Sequence, residues 1–216
     1  IGIDYSYTVS DGLLDWNPDP SRWGAARAYA DLQVPGSGDD AVLHNAAGAV
    51  AIVESMNADL LVHKNAVRKG LANTELFGRV QVLQGGIERL FDVAHNPAAI
   101  ANLASFIDKR HPVRRNHAVF SMLKDKDLAE VVRLMGSRIA SWHLTQLDAS
   151  RAAPLQDLAD VVSDHSNSEI KTWPNPLHAY KMAMQLARPG DRVVVFGSFY
   201  LVGAILKSVL EDPLQA

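Results

Sequence analysis

The sequence predicts an α/β protein built on a doubly wound, mostly parallel sheet, and three observations predict it. From about Arg79 onward, strand-length apolar runs alternate with stretches of helical periodicity. Before that point the rhythm is absent, so 1–78 and 79–216 are expected to be separate regions. The length, 216 residues, is one full domain and roughly half of another at about 150 residues per domain.

Each element of the regular region has its own signal. Ile87 to Val93 (IERLFDV) is a short apolar strand stopped by His95, Asn96 and Pro97, and the helix after it carries Ile100, Leu103, Phe106 and Ile107 on one face. Pro97 suits a first helical turn, where its missing N–H costs nothing. His117 to Leu123 is the next strand, followed by a helix with Leu128, Val131, Val132 and Met135 in register. Asp125 is expected to cap that helix, with Asp127 favouring its dipole. Trp142 to Leu147 reads as a strand and Leu155 to Val162 as a helix. Ile170 to Trp173 is a short edge-like strand, and Pro176 to Ala187 is a helix opened by proline. Arg192 to Phe196 (RVVVF), bounded by Pro189-Gly190 and Gly197, suits a strand buried on both faces. Leu201 to Leu210 closes the pattern as a helix.

The first 78 residues read differently. Ile3, Tyr5, Tyr7 and Val9 alternate as a strand whose partner is expected upstream, and Asn17 to Arg22 and Gly36 to Asp40 read as turns or loops. The small-residue stretch after His44 suits a closely packed helix, and Lys64 to Leu71 a second short one. Little bulk is available for an independent core. With the chain opening at Ile1 rather than methionine, the region is expected to be the tail of a domain whose body precedes it.

Composition narrows the function. Apolar residues make up 48% and charged residues 21%, which supports a folded core. With 21 basic and 24 acidic side chains there is no basic field for nucleic acid or anionic lipid. Cysteine is absent, which excludes disulfides, thiolate metal sites and a cysteine nucleophile, and suits a cytoplasmic location. No apolar run reaches the roughly 18 residues of a membrane span, and the eight histidines lack metal-ligand spacing. There is no Gly-x-x-x-x-Gly-Lys-Ser/Thr phosphate loop. Gly203 to Ser208 has the wrong glycine spacing and falls inside a predicted helix. Nor does a Gly-x-Gly-x-x-Gly follow any strand, which disfavours a nicotinamide dehydrogenase.

In open parallel sheets, ligands bind beyond the carboxyl ends of the strands. There the first strand delivers Asp92 and His95, a carboxylate for sugar hydroxyls and an imidazole for a phosphate or carboxylate oxygen, although both could equally serve as helix caps. The last strand delivers Gly197-Ser198 onto a helix N-terminus, where Ser198 could bind a carboxylate or cap the helix. Arg79, at the junction of the two regions, could clamp a phosphate as a bidentate donor or be an exposed edge-strand residue.

Together, five motifs in order resemble folylpolyglutamate synthases, in particular the bacterial bifunctional dihydrofolate synthase/folylpolyglutamate synthases, relatives of the Mur peptidoglycan ligases. They are His44-Asn45-Ala46-Ala47, Phe77-Gly78-Arg79 before a hairpin, Asp92-Val93-Ala94-His95-Asn96-Pro97, Met122 to Asp127, and Gly197 to Gly203. The resemblance implies a Rossmann-like Mur ligase C-terminal domain at 79–216, preceded at 1–78 by the end of a P-loop ATP-binding domain. It implies a monomeric, ATP-dependent ligase that joins L-glutamate to dihydropteroate or to folate polyglutamates through an acyl phosphate. By the family's pattern, Asn45, Arg79 and Asp92 would contact ATP, with Arg79 stabilising phosphate charge, Asp92 accepting from the ribose and Asn45 bonding the nucleotide. His95, Ser198 and Tyr200 would line the glutamate pocket. The P-loop and the Mg2+ ligands of the family would lie outside 1–216, so this chain alone is expected to be inactive. Two other readings are a Mur-type peptidoglycan precursor ligase, whose amino-acid signature is not found here, and a doubly wound binding module that has lost catalysis.

Overall fold

A computed structural model of the protein describes residues 4–23, 27–35 and 40–211. The chain forms two compact units, Ile1–Leu76 and Phe77–Ala216.

In the first unit, β1 (Tyr5–Ser10), β2 (Leu13–Pro18) and β3 (Tyr29–Gln33) make an antiparallel sheet in chain order. The first strand therefore pairs with the second, which follows it in the chain. Asp11 and Gly12, with φ of 51° and 77°, form a two-residue hairpin turn with both residues left-handed, which matches the twist of the flanking strands. A short helix, α1 (Pro20–Trp23), follows, so the expected loop at Asn17 to Arg22 is part strand and part helix. Of the loop expected at Gly36 to Asp40, 36–39 lie outside the described residues, and Asp40 opens α2 (Asp40–Ser55).

This unit also has a core of its own, contrary to expectation. Leu14, Trp16, Tyr29 and Leu32 pack with Leu43, Ala46, Ala47 and Val50 of α2 and with Val67. Trp16 supplies the bulk, and the small residues of α2 are the surface that admits it. Helices α3 (Asn57–Leu60) and α4 (Lys64–Ala72) complete the unit.

The second unit is a six-stranded sheet in the order β4-β5-β9-β6-β7-β8, where β4 is Gln81–Leu83, β5 Glu88–Asp92, β6 Asn116–Phe120, β7 Ser141–Thr145, β8 Glu169–Trp173 and β9 Arg192–Phe196. Only β4 is antiparallel, forming a hairpin with β5. Helices α5 (Pro97–Lys109), α6 (Leu128–Met135) and α7 (Leu155–His165) cover one face, where Ile100, Val131 and Leu158 meet Leu90, Phe120 and Val194. On the other face α8 (Pro176–Leu186) and α9 (Phe199–Glu211) pack Ala183 and Ile205 against Phe91, Val119 and Val195. Alternate residues of β9 thus feed both cores, as its continuous apolar run requires.

Local chemistry sets the helix starts. Asn96 and Asn175 cap α5 and α8, accepting from the Ala99 and His178 amides, with Pro97 and Pro176 in the first turns. The cap of α6 is Asp127, which accepts from the Glu130 amide, and not Asp125. Asp125 instead faces Lys126 and Arg151.

The amino ends of the strands carry a buried charged network. Glu88 receives Arg110 (2.8 Å) and Arg192, and Asp191 takes a bidentate bond from Arg114, both arms 3.0 Å. From Asp191 a chain of bonds runs through His117 (3.2 Å), Ser141 (2.7 Å) and His143 (3.3 Å) to the Trp173 indole (3.1 Å). Its direction is fixed at both ends, because the indole can only donate and a carboxylate only accept. Nδ1 of His143 is therefore unprotonated, Ser141 donates to Nδ1 of His117, and Nε2 of His117 donates to Asp191. The Asp-His-Ser order resembles a hydrolase triad, but all three side chains are buried.

Candidate functional site

The chain enters α5 from β5 and α9 from β9. These strands are neighbours and their helices lie on opposite faces, so their carboxyl ends form the switch point of the sheet. Their register is parallel, with Asp92 opposite Phe196, and the Gly197 amide donates to Ala94 O at 3.0 Å, joining the two exits. Gly197 has φ of 114°, and a Cβ there would lie 2.5 Å from Ser121 O, so only glycine fits.

Against this junction packs the turn that carries Arg79. Gly78 is left-handed (φ 67°), and a Cβ on it would meet Val202 at 2.9 Å and Val93 at 3.1 Å. Val80 has φ of 46°, a costly conformation for a β-branched residue. Polar bonds hold the turn in place: Gly78 N donates to Gln81 Oε1 (2.9 Å), Val93 N to Gly78 O (2.8 Å) and Val80 N to Asp92 Oδ2 (2.8 Å). Asp92 Oδ1 accepts from the Ala94 amide at 2.6 Å. The buried Asp92 thus fastens the Arg79 turn to the end of β5.

The other expected site residues divide by location. His95 is half-buried, and its Nδ1 lies 2.9 Å from Val93 O. A carbonyl only accepts, so the proton sits on Nδ1 and Nε2 is the nitrogen that can meet a ligand. Ser198 is buried and caps α9, its Oγ accepting from the Leu201 amide at 3.0 Å, which leaves the hydroxyl hydrogen to donate. Tyr200 is exposed on the first turn of α9. Arg79 is exposed, and its guanidinium lies 5.6 Å from the ring centroid of Phe199. The His95 ring is also 5.6 Å from Phe199. The structure therefore brings Arg79, Asp92, His95 and Ser198 together at the switch point. Asn45 belongs to the first unit, on the exposed side of α2. Phe199 had no signal of its own in the sequence, since an exposed phenylalanine beside a capping serine is ordinary until the fold sets it against Arg79.

Chemically, the site offers a guanidinium, an imidazole nitrogen, a hydroxyl hydrogen and a helix N-terminus, a donor set suited to phosphate and carboxylate. Among the described residues no three His, Cys, Asp or Glu side chains converge to hold a metal ion, so this donor set does not fit Mg2+.

Comparison with known proteins places the second unit in a family. The model of the Mur ligase, glutamate ligase domain matches residues 78–199, more than half of the chain. The dihydrofolate synthase/folylpolyglutamate synthase of Escherichia coli (strain K12) is 28% identical over 214 residues, spanning 96% of this chain and 45% of that protein. The structure of Escherichia coli FolC in complex with DHPP and ADP superposes with a TM-score of 0.77 at 27% identity, covering 98% of this chain and 47% of that one. The bifunctional folylpolyglutamate synthase/dihydrofolate synthase of Yersinia pestis, complexed with AMPPNP and Mn ion, gives 0.72 at 27% identity, covering 96% and 46%. The chain spans less than half the length of these relatives. On the strength of the domain match and these relatives, the chain belongs to the Mur ligase family and carries its glutamate ligase domain.

Proposed function

We propose that this chain is the glutamate-side part of an ATP-dependent ligase that joins L-glutamate to dihydropteroate or to folate polyglutamates. The observation that carries the reading is the convergence of Arg79, His95 and Ser198 at the switch point of a glutamate ligase domain. In the proposed reaction a carboxylate oxygen of the acceptor attacks the γ-phosphorus of ATP and ADP leaves. The glutamate amine then attacks the acyl carbon and phosphate departs with the former carboxylate oxygen. Arg79 would neutralise charge on the transferred phosphoryl group, where a fixed donor acts most strongly. His95 Nε2, the Ser198 hydroxyl and Tyr200 would hold the glutamate carboxylate. Asn45 would bond the nucleotide, and Asp92 would accept from the ribose while keeping the Arg79 turn in place. Mg2+ and the loop that cradles the triphosphate would come from residues beyond 1–216. Within that reading the protein is a cytoplasmic monomer acting on small molecules, with no nucleic-acid or membrane partner, which its near-balanced charge supports. Among the described residues no helix is long and apolar enough to cross a membrane.

The test follows an atom. In a longer protein carrying this sequence, 18O placed in the dihydropteroate carboxylate should appear in the released phosphate when ATP and glutamate are supplied. Phosphate without label would exclude the acyl phosphate. The 216-residue chain alone should release no phosphate above background.

A further inference from the structure

The geometry points to Phe199 as a positioning residue, its ring being the platform that orients Arg79 and His95 together. The inference rests on Arg79 being the phosphate-facing group. The ring is 55% exposed, so burial does not account for a phenylalanine at this place. What it touches instead is the guanidinium of Arg79 and the imidazole of His95, each 5.6 Å from its centroid. The side-chain contact that the described residues show for Arg79 is with this ring. The turn below fixes the Arg79 backbone through Asp92 and Gln81, and beyond Cβ the guanidinium lies over the ring. An aromatic face suits this task better than a carboxylate. It attracts the cation through the guanidinium plane and leaves the N–H edge open for a bidentate bond, whereas an acid would consume those donors. The platform has a firm base, because Ser198 caps α9 and Leu201 and Val202 are buried directly after the ring. His95 is held by Val93 O at Nδ1 and by a tilted contact with the ring, the planes 56° apart.

The test uses the 216-residue chain, nuclear magnetic resonance and inorganic pyrophosphate. The Arg79 Nε–Hε signal should be shifted upfield by the ring current in the wild type and in Phe199→Tyr, and should return to the free-arginine position in Phe199→Leu with the melting temperature unchanged. Pyrophosphate titrated at that signal should bind roughly two- to fivefold more weakly to Phe199→Leu, the range for an exposed cation–π contact, and normally to Phe199→Tyr. A signal at the free-arginine position in the wild type, or equal pyrophosphate affinity in Phe199→Leu, overturns the positioning role. A wild type that keeps the ring-current shift but shows no pyrophosphate response at Arg79 overturns the phosphate role of Arg79 itself, and the inference with it.

Discussion

At the amino ends of β5, β6 and β9 charged side chains neutralise one another, whereas at the carboxyl ends of the same sheet Arg79 lies over an aromatic ring. Arg192 is 1% exposed and is met by Glu88, while Asp191 is met by Arg114 and His117. Arg79 lies over Phe199, and Tyr200 faces solvent. Buried charges must be paired, because desolvation is otherwise ruinous. Groups that will receive a ligand must instead be held without being satisfied. The molecule does this by putting the restraint into the backbone, through Asp92 and the left-handed Val80. The difference separates charges that hold the sheet together from polar groups left open at the switch point, although the two sets are the same kinds of residue.

The comparison breaks most visibly at Glu88. Replacing it by leucine leaves Arg192 buried and uncompensated, and urea unfolding should register a loss of about 3–5 kcal/mol. A loss below about 1 kcal/mol would mean that the lower network is ornamental.

Acid titrates the same network. Burial, with His117 and Lys171 adding to it, lowers the His143 pKa from 6.5 to about 4. Between these values the unfolded chain binds a proton that the folded chain refuses, so stability should fall as pH drops from 6.5 to 4, by about 1.4 kcal/mol per pH unit at most. Burial alone would raise the Glu88 and Asp191 carboxyls. Bonds from Arg110 and Arg192 to Glu88, and from Arg188 N, Arg114 and His117 to Asp191, outweigh it and hold both below their ordinary values. Their contribution is present above the ordinary carboxylate pKa and is lost only as pH falls through the lowered folded values. His143→Gln should flatten the slope between pH 6.5 and 4 and leave the more acidic limb in place, measured by unfolding at a series of pH values. An unchanged slope would remove His143 from the account.

At the upper end the expected effect on stability is the smallest and the effect on turnover is the informative one. Arg79→Ala should change folding stability by less than about 0.5 kcal/mol, as an exposed substitution does. In a protein that also carries the phosphate loop it should lower kcat by about tenfold or more. Wild-type turnover would make Arg79 a surface residue and dissolve the contrast between the two ends.

Much of this was legible before folding. Continuous apolar runs such as Arg192 to Phe196 announce parallel strands, and Asp92, His95 and Ser198 stand where such strands end. The first unit was less legible. Tyr29–Gln33 turns only Tyr29 and Leu32 inward, too few for a strand pattern, and the alternation of the first strand does not say that Asp11-Gly12 folds it back onto the second. Long-range pairings left no local trace at all. Glu88 and Arg192 are 104 residues apart and meet only because β5 and β9 lie side by side, and Phe199 reaches Arg79 for the same reason.

The place of β9 also constrains how the protein is made. It lies between β5 and β6, yet it is the last of the described strands in chain order. During synthesis β5 waits with one edge bare until residues beyond Arg192 leave the ribosome. β6 can meanwhile pair only with β7. Assembly of the sheet is therefore a late event joining distant segments, which is intrinsically slow and leaves strand edges exposed to other chains. Any truncation that removes β9 takes away the central strand, and β5 and β6 have no other route to each other within the sheet.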